Sequence, residues 1–102
     1  MLRFEVITSK EFDKFVLSKR AIIIDVRSKE AYEKEHIRNS VNIPFESLEK
    51  QYNHMPKDFI LILYCERGGS SMIAAKELFD RGHVVKALMG GIQGYTGKYR
   101  EK

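Results

Sequence analysis

The sequence predicts an α/β fold, with a mostly parallel central sheet of about five strands and helices on both faces. Short apolar strand-like runs alternate with amphipathic segments along the chain, the signature of βαβ units. The run Phe59-Ile60-Leu61-Ile62-Leu63-Tyr64 shows no polar alternation. It therefore reads as a strand buried on both faces, as central strands of parallel sheets are. A chain of 102 residues fits one domain spanning 1–102.

The elements follow in order. Phe4-Glu5-Val6-Ile7 is a short edge-strand candidate. Thr8-Ser9-Lys10-Glu11 has the capping-box form, with Thr8 as N-cap and Glu11 three residues on. Phe12, Phe15 and Val16 follow at helical spacing. Ala21 to Ile24 is an apolar strand ended by Asp25. Ser28 caps a second helix running to about Glu35. Val41-Asn42-Ile43 is a short strand stopped by Pro44, and Glu46 to Tyr52 reads as a helix. After the Phe59 strand, Ser71 to Arg81 forms a helix with Ile73, Ala74 and Leu78 inward, and Gly82 is placed for a left-handed C-cap. Val84 to Leu88 is the last strand, and Gly90-Gly91 turns the chain into a short final helix carrying Tyr95. Lys98, Arg100, Glu101 and Lys102 read as a solvated tail.

Composition narrows the function classes. Hydrophobic residues make up 43%, too many for a disordered chain. The net charge of +4 is a small excess, and no basic stripe interleaved with aromatics points to nucleic acid. Nothing near Met1-Leu2-Arg3 resembles the apolar block of a signal peptide, and no apolar run is long enough to span a bilayer. A single cysteine forms no internal disulfide and fits a reducing compartment. The expectation is a cytoplasmic protein without membrane or nucleic-acid partners.

In parallel α/β sheets, ligands bind beyond the carboxyl ends of the strands. Asp25, Asn42 to Pro44, Cys65 and Gly90-Gly91 each end a predicted strand and should share one edge of the sheet. Among them Cys65 has the richest surroundings. It ends the buried strand, a helix starts about six residues later, and Gly68 and Gly69 lie between. Glycines let backbone N–H groups turn inward as an anion nest, and the helix start adds partial positive charge. A cysteine in that cradle is a candidate thiolate nucleophile rather than a small core hydrophobe. Arg67 offers a cation to an anionic substrate, Ser70 and Ser71 offer caps and hydroxyls, and Glu66 is expected to point outward. Glu66, Arg67, Gly68, Gly69, Ser70 and Ser71 are thus the candidate binding loop.

Three other chemistries fit less well. Cysteine-dependent phosphatases carry an arginine six positions after the cysteine, where this chain has Ser71. An arsenate-reductase-like reading suffers from the same misplaced arginine. His36, His54 and His83 lack paired metal-ligand spacing, and no Gly-Lys-Ser/Thr follows the glycines. His54 and His83 read as surface residues, and His36 as near the active edge. Asp25 is expected to cap a turn, and Arg27 to pair with a helix glutamate such as Glu30 or Glu33.

The chain resembles the rhodanese-like domains from about Phe4 to Tyr99. Four blocks carry the resemblance: Ile24-Asp25-Val26-Arg27; Glu35-His36-Ile37-Arg38-Asn39-Ser40-Val41-Asn42-Ile43-Pro44; the Tyr64-Cys65 loop with Gly68 and Ser71; and Leu88-Met89-Gly90-Gly91. Glu35 and Asn39 replace glycines of that pattern, Ser70 stands where many active members carry arginine or lysine, and Tyr95 where tryptophan is common. The resemblance implies a three-layer rhodanese-like fold and sulfur transfer. Cys65 would take the outer sulfur of a small anionic donor such as thiosulfate. The resulting persulfide would sit among the backbone N–H groups of residues 66 to 71, and the sulfur would pass to cyanide, a thiol or a protein acceptor. No metal or organic cofactor is implied. A carrier or docking module without turnover is the alternative of a different class.

Overall fold

The computed structural model describes residues 4–102; the expectation about Met1-Leu2-Arg3 lies outside the described residues. In chain order the elements are β1 (Glu5–Ile7), α1 (Ser9–Val16), β2 (Ala21–Asp25), α2 (Lys29–Lys34), β3 (His36–Ile37), β4 (Ser40–Asn42), α3 (Phe45–Glu49), β5 (Ile60–Tyr64), α4 (Gly69–Asp80), β6 (Val84–Leu88) and β7 (Arg100–Glu101). Short 3₁₀ turns cover Tyr52–His54 and Ile92–Gly94.

Five strands form one sheet in the order β1-β6-β5-β2-β4, every pair parallel. The apolar runs of β2 and β5 pair residue for residue, from Ala21 opposite Ile60 to Asp25 opposite Tyr64. Successive side chains of a strand point to opposite faces. Leu61 and Leu63 accordingly join Leu48, Ala74, Ala75 and Leu78 on the side of α3 and α4. Ile62 and Tyr64 join Phe12, Val16 and Ile92 on the side of α1. This is the two-sided burial that the unalternating run predicts. Each such Leu or Ile contributes about 1.5–3 kcal/mol relative to an exposed side chain. Parallel pairing also sends Asp25, Asn42, Cys65 and the Gly90-Gly91 turn to the same edge.

Local chemistry sets the helix boundaries. Thr8 and Glu11 form the expected capping box: Glu11 N donates to Thr8 Oγ1 at 3.2 Å and Thr8 N to Glu11 Oε1 at 3.0 Å. Ser28 Oγ accepts from Ala31 N at 3.2 Å and starts α2. Gly82 follows α4 at φ +94°, as expected of a C-cap glycine. Asn39 takes φ 68°, a left-handed conformation that asparagine tolerates, and its amide donates to Val16 O at 2.8 Å. Glu35, at φ −170°, is extended and needs no glycine.

Several expectations are corrected. The helix before β6 begins at Gly69, not Ser71, because Gly68 at φ 109° turns the chain directly into it. Ile73 faces outward and is 59% exposed, while Ala74, Ala75 and Leu78 form the buried face. The segment read as one helix from Glu46 to Tyr52 is split into α3 and a 3₁₀ turn. The C-terminal residues are no free tail. Arg100 and Glu101 pair antiparallel with Ile37 and His36, and Arg100 Nη2 donates to Ile92 O and Tyr95 O, each at 2.9 Å. His83 is buried rather than on the surface, since its N–H turns back onto Leu78 O at the end of α4; His54 is exposed.

Candidate active site

Cys65 follows β5 immediately and is 5% exposed. Among the described residues, two groups hydrogen-bond its sulfur. Gly68 N–H donates to Sγ at 3.0 Å, and Ser71 Oγ lies 3.3 Å away. When the sulfur is a thiolate, only the serine of that second pair has a proton to donate. Ser71 is fully buried and its Oγ also lies 3.4 Å from Gly68 O, so two acceptors, the thiolate and that carbonyl, compete for its single hydroxyl proton. Gly68 occupies the N-cap position of α4, with no side-chain cap. The first N–H groups of a helix have no carbonyl of their own to bond. Those of α4 open beside Cys65, where an anion is stabilised by both their hydrogens and the helix dipole.

The loop is held from beneath by the Gly90-Gly91 turn. Ile92 N donates to Cys65 O at 2.9 Å and Gln93 N to Glu66 O at 3.0 Å. Gly91, at φ 62°, lies so close that a Cβ there would sit 2.5 Å from both carbonyl oxygens. With these two carbonyls committed downward, the loop backbone is held where the Gly68 N–H reaches the sulfur. The sequence marks Gly90-Gly91 as a turn; its role as the loop's support is a tertiary fact, with only the paired glycines as signal.

An open cleft of about 530 Å³ leads to Cys65. Val26, Ala31 and Phe45 supply apolar wall, and Arg27, Glu46, Glu66, Arg67, Gly69 and Ser70 supply the rest together with Ser28. Of the expected binding loop, Glu66, Arg67, Gly69 and Ser70 line this cleft, whereas Gly68 and Ser71 lie behind it on the sulfur. Arg67 is exposed at the rim, without a side-chain hydrogen bond to the described residues. His36 does not line the cleft; it stacks on Tyr32 at 4.0 Å and lies 3.6 Å from Glu101.

Arg27 is placed differently from the sequence expectation. It pairs with neither Glu30 nor Glu33. Its Nη2 and Nε contact the buried Asp25 carboxylate at 2.8 and 3.1 Å, Nη2 also reaches Glu35 O at 2.5 Å, and Nη1 lies 3.3 Å from Glu66. Glutamates on α2 lose this competition because Asp25 is two residues away and already faces inward. Asp25 does cap its turn, accepting from Arg27 N at 2.8 Å. Burial opposes charge on Arg27, but the Asp25 carboxylate outweighs it and raises the pKa of the guanidinium. Glu66 is corrected too. It does not simply point out; its carboxylate is 46% exposed and is gripped by Gln93 Nε2 and Arg27. The hydrogen bond from Gln93 is the largest influence and, with Arg27 and Arg67, holds the carboxyl below the usual carboxylate range although burial pushes it the other way.

Tyr64 and Tyr95 are packing residues. Tyr64 OH accepts from Ile37 N at 3.0 Å, and burial, with Asp25 nearby, raises its pKa. Tyr95 OH donates to Asp13 at 2.5 Å. Met72 packs on the core while Met89 is exposed. Among the described residues no three His, Cys, Asp or Glu side chains converge as metal ligands, and no helix is long and apolar enough to cross a membrane.

Comparisons with known proteins agree with the resemblance. The family model described as the rhodanese-like domain matches residues 8–98. The chain is 34% identical over 80 residues to thiosulfate sulfurtransferase GlpE of Coxiella burnetii, covering 76% of this chain and 75% of that protein. It is 35% identical over 75 residues to a tRNA sulfurtransferase of Desulfurococcus amylolyticus, covering 74% of this chain but only 15% of that protein's length. The crystal structure of a rhodanese-like domain protein from Staphylococcus aureus superposes with a TM-score of 0.82 at 26% identity, covering 96% of this chain and 97% of that one.

Proposed function

The chain belongs to the rhodanese-like sulfurtransferase family, and from that premise we propose that it moves sulfane sulfur from a donor such as thiosulfate to a thiophilic acceptor through a persulfide on Cys65. The observation that carries the reading is the short contact from Gly68 N–H to Cys65 Sγ at an uncapped helix start. The Cys65 thiolate attacks the outer sulfur of thiosulfate. A sulfur–sulfur bond forms to Cys65, the bond within the donor breaks, and sulfite leaves with its electron pair. The negative charge then resides on the outer persulfide sulfur, where the free N–H groups of α4 stabilise it without a metal or organic cofactor. Cyanide or a thiolate takes that sulfur, leaving as thiocyanate or a new persulfide and returning the Cys65 thiolate. The chain has no second cysteine to resolve the persulfide, so the acceptor comes from outside.

The test is intact mass after incubation with thiosulfate, beside Cys65→Ser. The native chain gains one sulfur atom and loses it on adding cyanide; the variant gains none. A native chain that stays unloaded both by thiosulfate and by a monoanionic donor such as methanethiosulfonate, while its thiol still alkylates, contradicts the reading.

A sulfur-carrier role is favoured by one observation. The cleft, at about 530 Å³, is sized for an organic or protein-borne thiol rather than a five-atom anion. An enzyme turns over many sulfurs onto a small acceptor, whereas a carrier loads once and discharges quickly only to its partner.

A further inference from the structure

We infer that Glu66 sets the charge of the donors this site accepts, disfavouring dianions such as thiosulfate and favouring sulfur carriers of low charge, such as an organic persulfide. The inference rests on the sulfur-transfer reading above and concerns which donor serves it.

The argument starts from Arg27, the cation at the foot of the cleft. Four of the five N–H donors of its guanidinium have partners: Nε and Nη2 bond Asp25, Nη2 also bonds Glu35 O, and Nη1 bonds Glu66. Its charge is matched by the buried Asp25 before any ligand arrives. Glu66 then adds a carboxylate to the lining, in the residue next to the sulfur. That carboxylate is fixed from both sides, by Arg27 and by Gln93, while the Glu66 backbone carbonyl is fixed by Gln93 N–H. The side chain cannot swing away without losing both carboxylate contacts, to Arg27 and to Gln93. With Arg27 matched by Asp25, the lining's remaining charges are Glu46 and Glu66 against Arg67 alone. The backbone N–H groups of the α4 start favour one negative charge, on the sulfur being transferred. They do so for every donor. The remainder of the donor lies farther out in the cleft, where the carboxylates outnumber the cation and an additional negative charge is penalised.

Two donors of different charge separate this effect. Thiosulfate is a dianion and methanethiosulfonate a monoanion. Both give the outer sulfur to the Cys65 thiolate, with rupture of the donor's sulfur–sulfur bond and departure of sulfite or methanesulfinate with the electron pair. The loading rate from each is read by quenched intact mass on the native chain and on Glu66→Gln. Glutamine keeps an oxygen for Arg27 and removes the charge. Loading from thiosulfate rises about tenfold and from methanethiosulfonate about threefold, so the ratio between donors rises about threefold. The ratio is taken on one protein, so a general loosening of the loop cancels from it. An unchanged or lowered ratio overturns the inference while leaving sulfur transfer intact. A native chain that loads from neither donor overturns the sulfur-transfer reading, and the inference with it.

Discussion

The starts of α1 and α4 are the same physical object used in opposite ways. Both present unbonded N–H groups and a positive dipole end. At α1 the chain satisfies them from its own side chains, with Thr8 and Glu11 closing a reciprocal box. At α4 it supplies no side-chain cap: Gly68 takes the cap position, and its N–H turns to the sulfur of Cys65. A closed start contributes stability. An open one, set at the carboxyl edge of a parallel sheet, is available for an anion that comes and goes. The difference lies in two or three residues. The cost of leaving the second start open is met by the support of Gly91, Ile92 and Gln93 beneath the loop.

That contrast can be broken from either side. The largest effect is expected at Gly91→Ala. The added Cβ meets the carbonyls of Cys65 and Glu66 at 2.5 Å and the residue must hold φ 62°. The loop is displaced, and loading from thiosulfate falls about a hundredfold, the scale on which a reacting group moved by an ångström loses rate. Thermal unfolding shows an accompanying loss of about 2–3 kcal/mol. A variant that loads normally removes the supporting turn from the account.

Arg67→Ala is expected to act more mildly. Its side chain stands exposed at the rim, so thiosulfate loading slows about threefold, with unfolding temperature unchanged. Equal rates in steady-state assays would take Arg67 out of donor binding. The smallest effect on chemistry, and a clear one on stability, belongs to Thr8→Ala. Opening the closed helix start lowers stability by about 1 kcal/mol in denaturant unfolding and leaves the loading rate at the native value. A change in loading would mean that the two helix starts are coupled.

The parts of this arrangement legible in the sequence are those written locally. Thr8 and Glu11 are three residues apart, and the apolar run into Tyr64 spells a buried strand without reference to anything distant. The carboxyl-edge gathering of Asp25, Asn42, Cys65 and Gly91 follows from parallel pairing alone. What sequence reasoning misplaces is set by partners far along the chain. Arg27 meets Glu66 across 39 positions, and Arg100 finds Glu35 across 65. Two-residue strands such as β3 and β7 carry no periodicity to read. Gly68 and Gly69 look like loop, yet a glycine at φ 109° is what lets α4 start early enough to face the sulfur.

The most direct test of the open helix start is an amide ¹⁵N–¹H spectrum taken before and after loading with one sulfur, verified by mass. The account predicts that the amides of Gly68, Gly69, Ser70 and Ser71 move on loading and return on adding cyanide, while those of Thr8 to Glu11 stay in place. A loaded protein whose loop amides do not move would show that the sulfur is held elsewhere and would contradict the account.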